Sequence, residues 1–357
     1  MYSYQVVEFG KPLERRDYPT PKPAGSEVVV RLAGCGVCHS DLHLADGFFD
    51  LGGGKRITLA DRGTKLPFTP GHEMVGEVEA LGPEASGVKP GDRRIVFPWI
   101  GCGTCESCAV GEETFCANPR FLGARRDGGY STHIVVPHAK YLIAYGDVPE
   151  DLASTYACSG ITAYSALKKI PKTTGRDHIV MIGAGGVGTA GILLSSAVHE
   201  AKVIVADVDA RKRESALKSN RVVAAVDPSK PEAVKQVLDL TGGVGVAAAI
   251  DYVGAPATAQ FGLDVIRRGG TLVSVGLFGG AASVSLPLMP MRSVNWRGYY
   301  VGTLAEMHEM MGHVLGGKVP RMPIEPRPLA AANGALDDLR AGRVIGRVVL
   351  KPALDAK

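Results

Sequence analysis

The stretch HIVMIGAGGVGTAGILL, residues 178–194, constrains this chain more than any other. It passes from an apolar β-branched run through a glycine turn into a helix-period segment, with Gly183, Gly185 and Gly188 completing GxGxxG around Gly186 and Val187. Glycines permit the tight turn and a close backbone approach, and the free N–H groups of the helix start suit a pyrophosphate. GxGxxG alone is a weak signal, but AKVIVADVD follows, placing Asp207 nineteen residues after Gly188. That is close to the spacing of about 20 at which a carboxylate meets the adenine-side ribose. A carboxylate accepts from both ribose hydroxyls and repels a 2′-phosphate, so Asp207 points to NAD over NADP, while Arg211, Lys212 and Arg213 soften the preference. The plainer role for Asp207 is a helix cap.

The pattern around this motif sets the expected architecture. After Ser154, HIVMIG, AKVIVADVD, VAAAIDYVG and TLVSVGLFG alternate with helical stretches, the signature of a parallel sheet with crossover helices. From Ser3 to about Val136, short runs such as Glu27 to Leu32 and Val75 to Ala80 are separated by turns like GPEASGVKPGD, which predicts a mostly β half. FFDLGGGKRITLADRGTKLP reads as a long glycine-rich loop bordering the active site. The closing GRVIGRVVLKP ends in a strand and is expected to return to the first domain. The expected division is 1–154, 155–292 and 293–357, an α/β chain of 357 residues in two domains.

Charge excludes some partners. Lys plus Arg number 40 against 36 Asp plus Glu, with no long basic run, so the footprint of a nucleic-acid binder is missing. MYSYQVVEFGKPLERRDYP has neither the basic start nor the apolar core of a signal peptide, which predicts a cytoplasmic, reducing setting. Ile179–Val198 and Gly269–Met291 lack charge over membrane-like lengths, but five glycines interrupt the first and Pro287 and Pro290 the second. Both read as buried strand and turn, with no membrane partner expected.

In a reducing setting the seven cysteines are thiols or metal ligands. GCGTCESCAVGEETFC places Cys102, Cys105, Cys108 and Cys116 in the pattern CxxCxxCx7C within fifteen residues. Four thiolates make a closed tetrahedral zinc site, structural because no position is left for a substrate. An iron–sulfur cluster uses similar spacing, but Ala117 stands where the bacterial pattern has proline and no second set exists. Cys38 in GCGVCHSDLH and His72 in GHEMVGEVEALG fall at ends of expected strands, and Cys158 in ACSGITAYSAL falls near the domain junction. Spacing alone leaves these three as packed small residues and a satisfied histidine.

GCGVCHSDLH, PGHEMVGEV, the four-cysteine lobe, CSGITAY, GAGGVG and VGLFG, in that order, resemble the zinc-containing medium-chain alcohol dehydrogenases, especially the tetrameric microbial ones. The likeness covers essentially the whole chain. It implies a GroES-like, mostly β catalytic domain in two chain segments and a Rossmann NAD-binding domain, with substrate in the cleft between them. Cys38, His72 and Cys158 would hold a catalytic zinc, the Cys2His set known from alcohol dehydrogenases, with a fourth position open to acidify an alcohol. Two zinc ions and one NAD per subunit follow. Glu73 would lie near the metal as a supporting group or occasional ligand, and Asp41 would orient His72. Ser40 would bond the reacting oxygen and His43 would pass the proton onward, with the cofactor ribose hydroxyl between them.

By the same likeness Thr162, Val275, Gly276 and Leu277 would flank the nicotinamide, and His39 and Arg347 would contact the pyrophosphate. Many members of the family have arginine where His39 stands. Phe49, Trp99 and Phe121 would line an apolar substrate pocket, although such rings are more often plain core. Cys35 receives no role. The implied reaction is reversible oxidation of a primary or secondary alcohol to an aldehyde or ketone by a homotetramer. The alternatives are a relative acting on a polyol, an amino-acid hydroxyl or a cinnamyl-type alcohol, and a non-catalytic nucleotide-binding scaffold.

Overall fold

Strands made of uninterrupted apolar residues need cover on both faces, and Ile179–Ile182 and Val203–Ala206 are fully buried. In the computed structural model, which describes residues 1–355, they belong to a parallel sheet of six strands. From one edge these are Val222–Val226, Lys202–Ala206, His178–Ile182, Val246–Asp251, Ile266–Ser274 and Asn295–Gly298. The helices Gly186–Val198, Ala210–Ala216, Ala233–Leu240 and Pro256–Val265 make the crossovers. This is the doubly wound order, and its direction reverses between His178–Ile182 and Val246–Asp251, where a crevice opens at the strand ends. The last strand lies beyond the expected boundary at 292: Asn295–Gly298 pairs with Thr271–Ser274 and extends the same sheet. Its sequence, NWRG, lacks the apolar run that marks its neighbours.

The other half of the chain builds a seven-stranded, largely antiparallel sheet. Val28–Gly36 is its hub, pairing with Glu73–Leu81, His133–Val136 and Arg347–Lys351. Arg347–Lys351 also pairs in parallel with Ile324–Pro328, so two late strands complete a sheet begun near the N-terminus. The register sets Gly36 opposite Glu73 on one side and Val349 on the other. The residues around 37, 72 and 347 therefore meet at one end of the sheet.

Two segments depart from the sequence reading. The expected glycine-rich loop contains a hairpin, Phe48–Gly52 against Lys55–Thr58, and its Asp50 carbonyl accepts a bond from the Gly280 N–H at 3.3 Å. It thereby ties the first half of the chain to the nucleotide-side half. Of Gly269–Met291, only the part through Ser274 is strand; Leu286, Leu288 and Met291 are exposed rather than buried. Ile179–Val198 is divided into strand, turn and helix, and among the described residues no helix is long and apolar enough to cross a membrane.

The glycine turn tolerates little. A Cβ on Gly188 would stand 1.8 Å from the Gly183 carbonyl oxygen, so strand and helix meet there only because the residue lacks a side chain. Gly188→Ala is expected to cost about 1–3 kcal/mol by overpacking. In thermal denaturation the melting temperature should fall by at least a few degrees; an unchanged value would mean the helix start is not packed in this way.

Candidate active site

The site begins with a buried carboxylate. Cys38 caps the helix His39–Asp46, and Asp41 in its first turn accepts the Cys38 N–H at 2.9 Å. Asp41 also accepts the Gly71 N–H at 3.2 Å and the Tyr130 hydroxyl at 3.0 Å. Its Oδ1 lies 3.2 Å from His72 Nδ1, though not in line for a strong hydrogen bond. Nε2 of His72 is buried and has no protein partner.

Cys158 arrives from the opposite wall. The helix beginning at Glu150 widens into one π-helical turn, Tyr156–Gly160, before continuing as Ile161–Lys168. Such a turn re-aims its side chains and recurs at functional sites. Trp99 pins it by donating its indole N–H to the Ala157 carbonyl at 2.8 Å. The two sulfurs, Cys38 Sγ and Cys158 Sγ, lie 4.0 Å apart, and these with a ring nitrogen of His72 fall within 4.8 Å of one another.

The electrostatics fit a cation. The Cys158 thiol beside it, with Arg347 and His72, holds the Cys38 sulfur well below the usual thiol range. That partnership and burial push Cys158 up. Burial opposes charge on His72, yet Asp41 and Cys38 together raise its imidazole well above the ordinary value. Two sulfurs and an unpartnered ring nitrogen thus compete for protons in a space of one ion's size. Soft thiolates with one imidazole suit zinc.

Glu73 and Arg347, which the family likeness placed separately, are joined in one buried ion pair beside the site. Glu73 pairs with Arg347, which donates Nε to Oε2 at 2.9 Å and Nη2 to Oε1. The Ser159 N–H donates to the same carboxylate at 3.0 Å, so both oxygens are taken. Gly36 makes the room, since a Cβ there would stand 2.0 Å from Glu73 Oε2. The third nitrogen, Arg347 Nη1, packs against Gly186 and is the part that faces the glycine turn. Both charges are buried, so removing either would strand the other at high cost.

A cleft of about 400 Å³ joins these parts. Cys38, Cys158 and Trp99 line it together with Ser40, His43 and Thr162. Gly183, Gly185, Gly186, Val187 and Gly188 form another wall, with Asp207 and the Val275, Gly276 and Leu277 turn. Nε2 of His43 and Oγ1 of Thr162 are buried without partners. Burial and neighbouring His39 push the His43 imidazole below its ordinary value. His39 also lines the cleft, its imidazole lowered by burial and by Arg347, Lys212 and Arg340.

Asp207 accepts the Ala184 N–H at 2.7 Å and the Asp209 N–H at 2.8 Å. Arg211 is bound to Asp209 and Arg213 to the Asp207 carbonyl, whereas Lys212 lines the cleft. Of the three rings expected in the substrate pocket only Trp99 lines the cleft: Phe49 packs at a tilt on His43 at 4.9 Å, Trp99 lies 5.3 Å from His72, and Phe121 meets Trp99 edge-on at 5.4 Å from behind. Sequence reasoning missed Tyr300, whose ring lies 5.6 Å from Trp99, and Val301 beside it. Val301 is buried with φ of 48°, a strained backbone for a β-branched residue. Neither carries a local sequence signal. Cys35 is a packed thiol facing the Gly36 carbonyl at 3.6 Å.

The four-cysteine lobe closes on itself. Its Sγ atoms stand 4.0 Å (Cys102–Cys108), 3.5 Å (Cys105–Cys108) and 3.8 Å (Cys105–Cys116) apart. Tetrahedral zinc–thiolate bonds of about 2.3 Å place sulfurs roughly 3.8 Å apart, so the cage matches one zinc ion. A multi-iron cluster needs room for its sulfides between the ligands and does not fit. The Thr104 hydroxyl and N–H draw Cys102 down to about 5, and desolvation pushes Cys108 up to about 12.

Comparison with known proteins agrees with this geometry. Residues 24–147 match the alcohol dehydrogenase GroES-like domain and residues 186–315 the zinc-binding dehydrogenase family. The chain is 37% identical to a protein of Sulfurisphaera tokodaii named NAD-dependent alcohol dehydrogenase, over 99% of this chain and 100% of that one. It is 35% identical to one of the same name from Saccharolobus solfataricus, with the same coverage. The crystal structure of an alcohol dehydrogenase from Aeropyrum pernix superposes with a TM-score of 0.88 at 32% identity, covering 99% of this chain and 100% of that one. With both domain matches in chain order and full-length relatives above 30% identity, this protein belongs to the zinc-binding, GroES-like alcohol dehydrogenase family.

Proposed function

We propose that the cleft interconverts primary or secondary alcohols with their aldehydes or ketones, using NAD. A catalytic zinc would be held by Cys38, His72 and Cys158, and a structural zinc by Cys102, Cys105, Cys108 and Cys116. The observation that carries this reading is the convergence of three buried ligand atoms within 4.8 Å on a cleft whose facing wall is the glycine turn. When bound, zinc supplies Lewis-acid polarisation of the substrate oxygen and the nicotinamide accepts or returns hydride.

The chain's own residues do the rest. Asp41 holds His72 so that Nε2 is left to the metal. Ser40 takes the proton of the substrate hydroxyl and His43 carries it outward, its buried Nε2 being a neutral acceptor with no competing partner. Thr162 offers its free hydroxyl to the nicotinamide amide. Trp99 and Tyr300 give the substrate side of the cleft an apolar wall, with Phe121 packed behind Trp99. Asp207 receives the adenine-side ribose, and His39 and Arg347 Nη1 face the pyrophosphate. Because Arg211 and Arg213 are engaged elsewhere, the preference is for NAD over NADP.

The catalytic domain comprises residues 1–154 and the segment following Asn295–Gly298, around the NAD-binding domain. A homotetramer covers exposed Leu286, Leu288 and Met291 beside that edge strand. Seven free cysteines suit the cytoplasm.

NADH appearance on an alcohol panel, run with zinc counting, tests the reaction; no turnover by zinc-loaded protein would overturn it. Cys38→Ser should lose turnover by at least a hundredfold while the melting temperature stays within a few degrees. Cys105→Ser should instead lower the melting temperature by several degrees, with bound zinc falling from two to one per chain. Since burial keeps His43 neutral to below its ordinary 6.5, kcat/KM for alcohol oxidation should be full above that value and fall as acid protonates the ring. His43→Gln should flatten that acidic limb and lower the plateau roughly tenfold or more, as a pH–rate profile would read.

A further inference from the structure

One buried carboxylate takes no part in the metal site or the proton path. Asp251 ends the strand Val246–Asp251 at the crevice where the strand order reverses, and it is fully buried. Its Oδ1 accepts the N–H groups of Val253 at 2.9 Å and Gly254 at 3.0 Å, and its Oδ2 accepts the Thr258 hydroxyl at 2.8 Å. All three donors are neutral. Burial raises the Asp251 carboxyl above the usual range, while the Gly254, Thr258 and Val253 bonds pull it down. A carboxylate buried without a counter-charge is costly, and these bonds offset that cost only while the turn at residues 252–254, with Gly254 at φ of 76°, keeps its shape.

That turn joins two walls of the cleft. On one side it packs on the glycine turn: the Tyr252 N–H donates to the Ile182 carbonyl at 2.9 Å, and a Cβ on Gly183 would stand 2.7 Å from Val253 Cγ2. On the other it carries the turn that begins at Val275. The Asp251 carbonyl accepts the N–H groups of Val275 at 2.9 Å and Gly276 at 3.0 Å, the Val253 carbonyl accepts that of Phe278 at 3.0 Å, and the Gly254 carbonyl accepts that of Gly279 at 3.1 Å. The two turns interlock, since a Cβ on Gly254 would stand 2.0 Å from the Gly276 carbonyl oxygen and one on Gly276 would stand 2.0 Å from the Val253 carbonyl carbon. Tyr252, Val253, Val275, Gly276 and Leu277 all line the cleft. The spacing between the glycine turn and the Val275 turn is therefore set through residues 252–254.

We propose that Asp251 is a positioning residue for the dinucleotide: by holding residues 252–254 it fixes the turn beside the nicotinamide relative to the glycine turn beneath the pyrophosphate, and so fixes where the ring meets the substrate. The hydride step rests on the alcohol-oxidising reading above, whereas the seat needs only the nucleotide. Without the carboxylate, the Val253 and Gly254 N–H groups lose their acceptor in a space closed to water, and the turn must open to find another. The Phe278 and Gly279 bonds move with it. A misplacement of about 1 Å at reacting atoms costs roughly a hundredfold in rate, so a small movement here is read in turnover before it is read in folding. Asparagine keeps one oxygen for the two N–H groups and turns its amide toward the Thr258 oxygen, which preserves the shape without the charge.

The test uses the zinc-loaded enzyme, the fastest alcohol of the panel above and its α-deuterated form, with NADH binding followed separately by the fluorescence of the nucleotide. Asp251→Ala should weaken NADH binding about tenfold and lower kcat at saturating NAD about tenfold or more, with zinc content unchanged. The primary deuterium isotope effect on kcat should rise, because hydride transfer becomes slower than product release. Asp251→Asn should restore most of the affinity and the rate. Thr258→Val, which leaves Oδ1 and its two bonds in place, should give the alanine pattern at smaller size, and it carries the test alone if the alanine variant does not fold. NADH affinity and isotope effect unmoved in folded Asp251→Ala or in Thr258→Val, or an asparagine variant as impaired as the alanine one, would overturn this inference and leave the alcohol-oxidising reading standing. Wild-type protein that binds NADH but oxidises no alcohol would overturn that reading instead, and the binding arm would still decide the role of Asp251.

Discussion

One carboxylate with no access to water organises the catalytic half of this protein. Asp41 receives the Cys38 N–H, the Gly71 N–H and the Tyr130 hydroxyl, and faces His72 Nδ1. A buried anion is tolerable only where hydrogen bonds replace its hydration, and these donors do so. In return it ties the start of one helix to the loop entering the next strand, the two pieces of chain that carry Cys38 and His72. Replacing Asp41 by an apolar residue would release both ligands, although it is itself no ligand.

The two thiol clusters show how surroundings divide one chemistry into two uses. In the lobe all four corners are cysteines from one short segment, held by nearby N–H groups, so the cage is complete on its own. In the cleft the three candidate ligands come from three separate elements, and two of them, Cys38 and Cys158, line the open cleft. The Glu73–Arg347 pair then joins this second cluster to the glycine turn, because Arg347 touches Gly186 while Glu73 holds the Ser159 N–H next to Cys158. Nucleotide wall and metal wall share one buried ion pair.

How much of this the amino-acid sequence announces depends on the span of chain involved. The glycine turn, Asp207 and the four-cysteine lobe are local patterns, and each is readable because its parts lie within a few turns of one another. Cys38, His72 and Cys158 meet only through the Gly36–Glu73 register and the π-helical turn, neither of which has a sequence mark, so only family likeness joined them. That likeness placed Glu73 and Arg347 singly and missed that they neutralise each other across 274 positions. Asn295–Gly298 escaped notice because an edge strand needs no apolar run, and the hairpin after Phe48 because its three glycines resemble a loop. Tyr300 and Val301 were invisible because their place is set by packing alone.

The order of the strands also bears on biosynthesis. As the polypeptide leaves the ribosome, the four-cysteine lobe has all its ligands within fifteen residues and can capture its ion early. The other centre must wait. Its second sulfur, Cys158, follows forty-two residues after Cys116, and the guanidinium that neutralises Glu73 comes later still, in Arg347–Lys351. The lobe's four thiols are therefore all in place before the cleft has its last charge, and a chain lacking Arg347–Lys351 would keep a complete lobe beside a cleft in which Glu73 has lost its counter-charge.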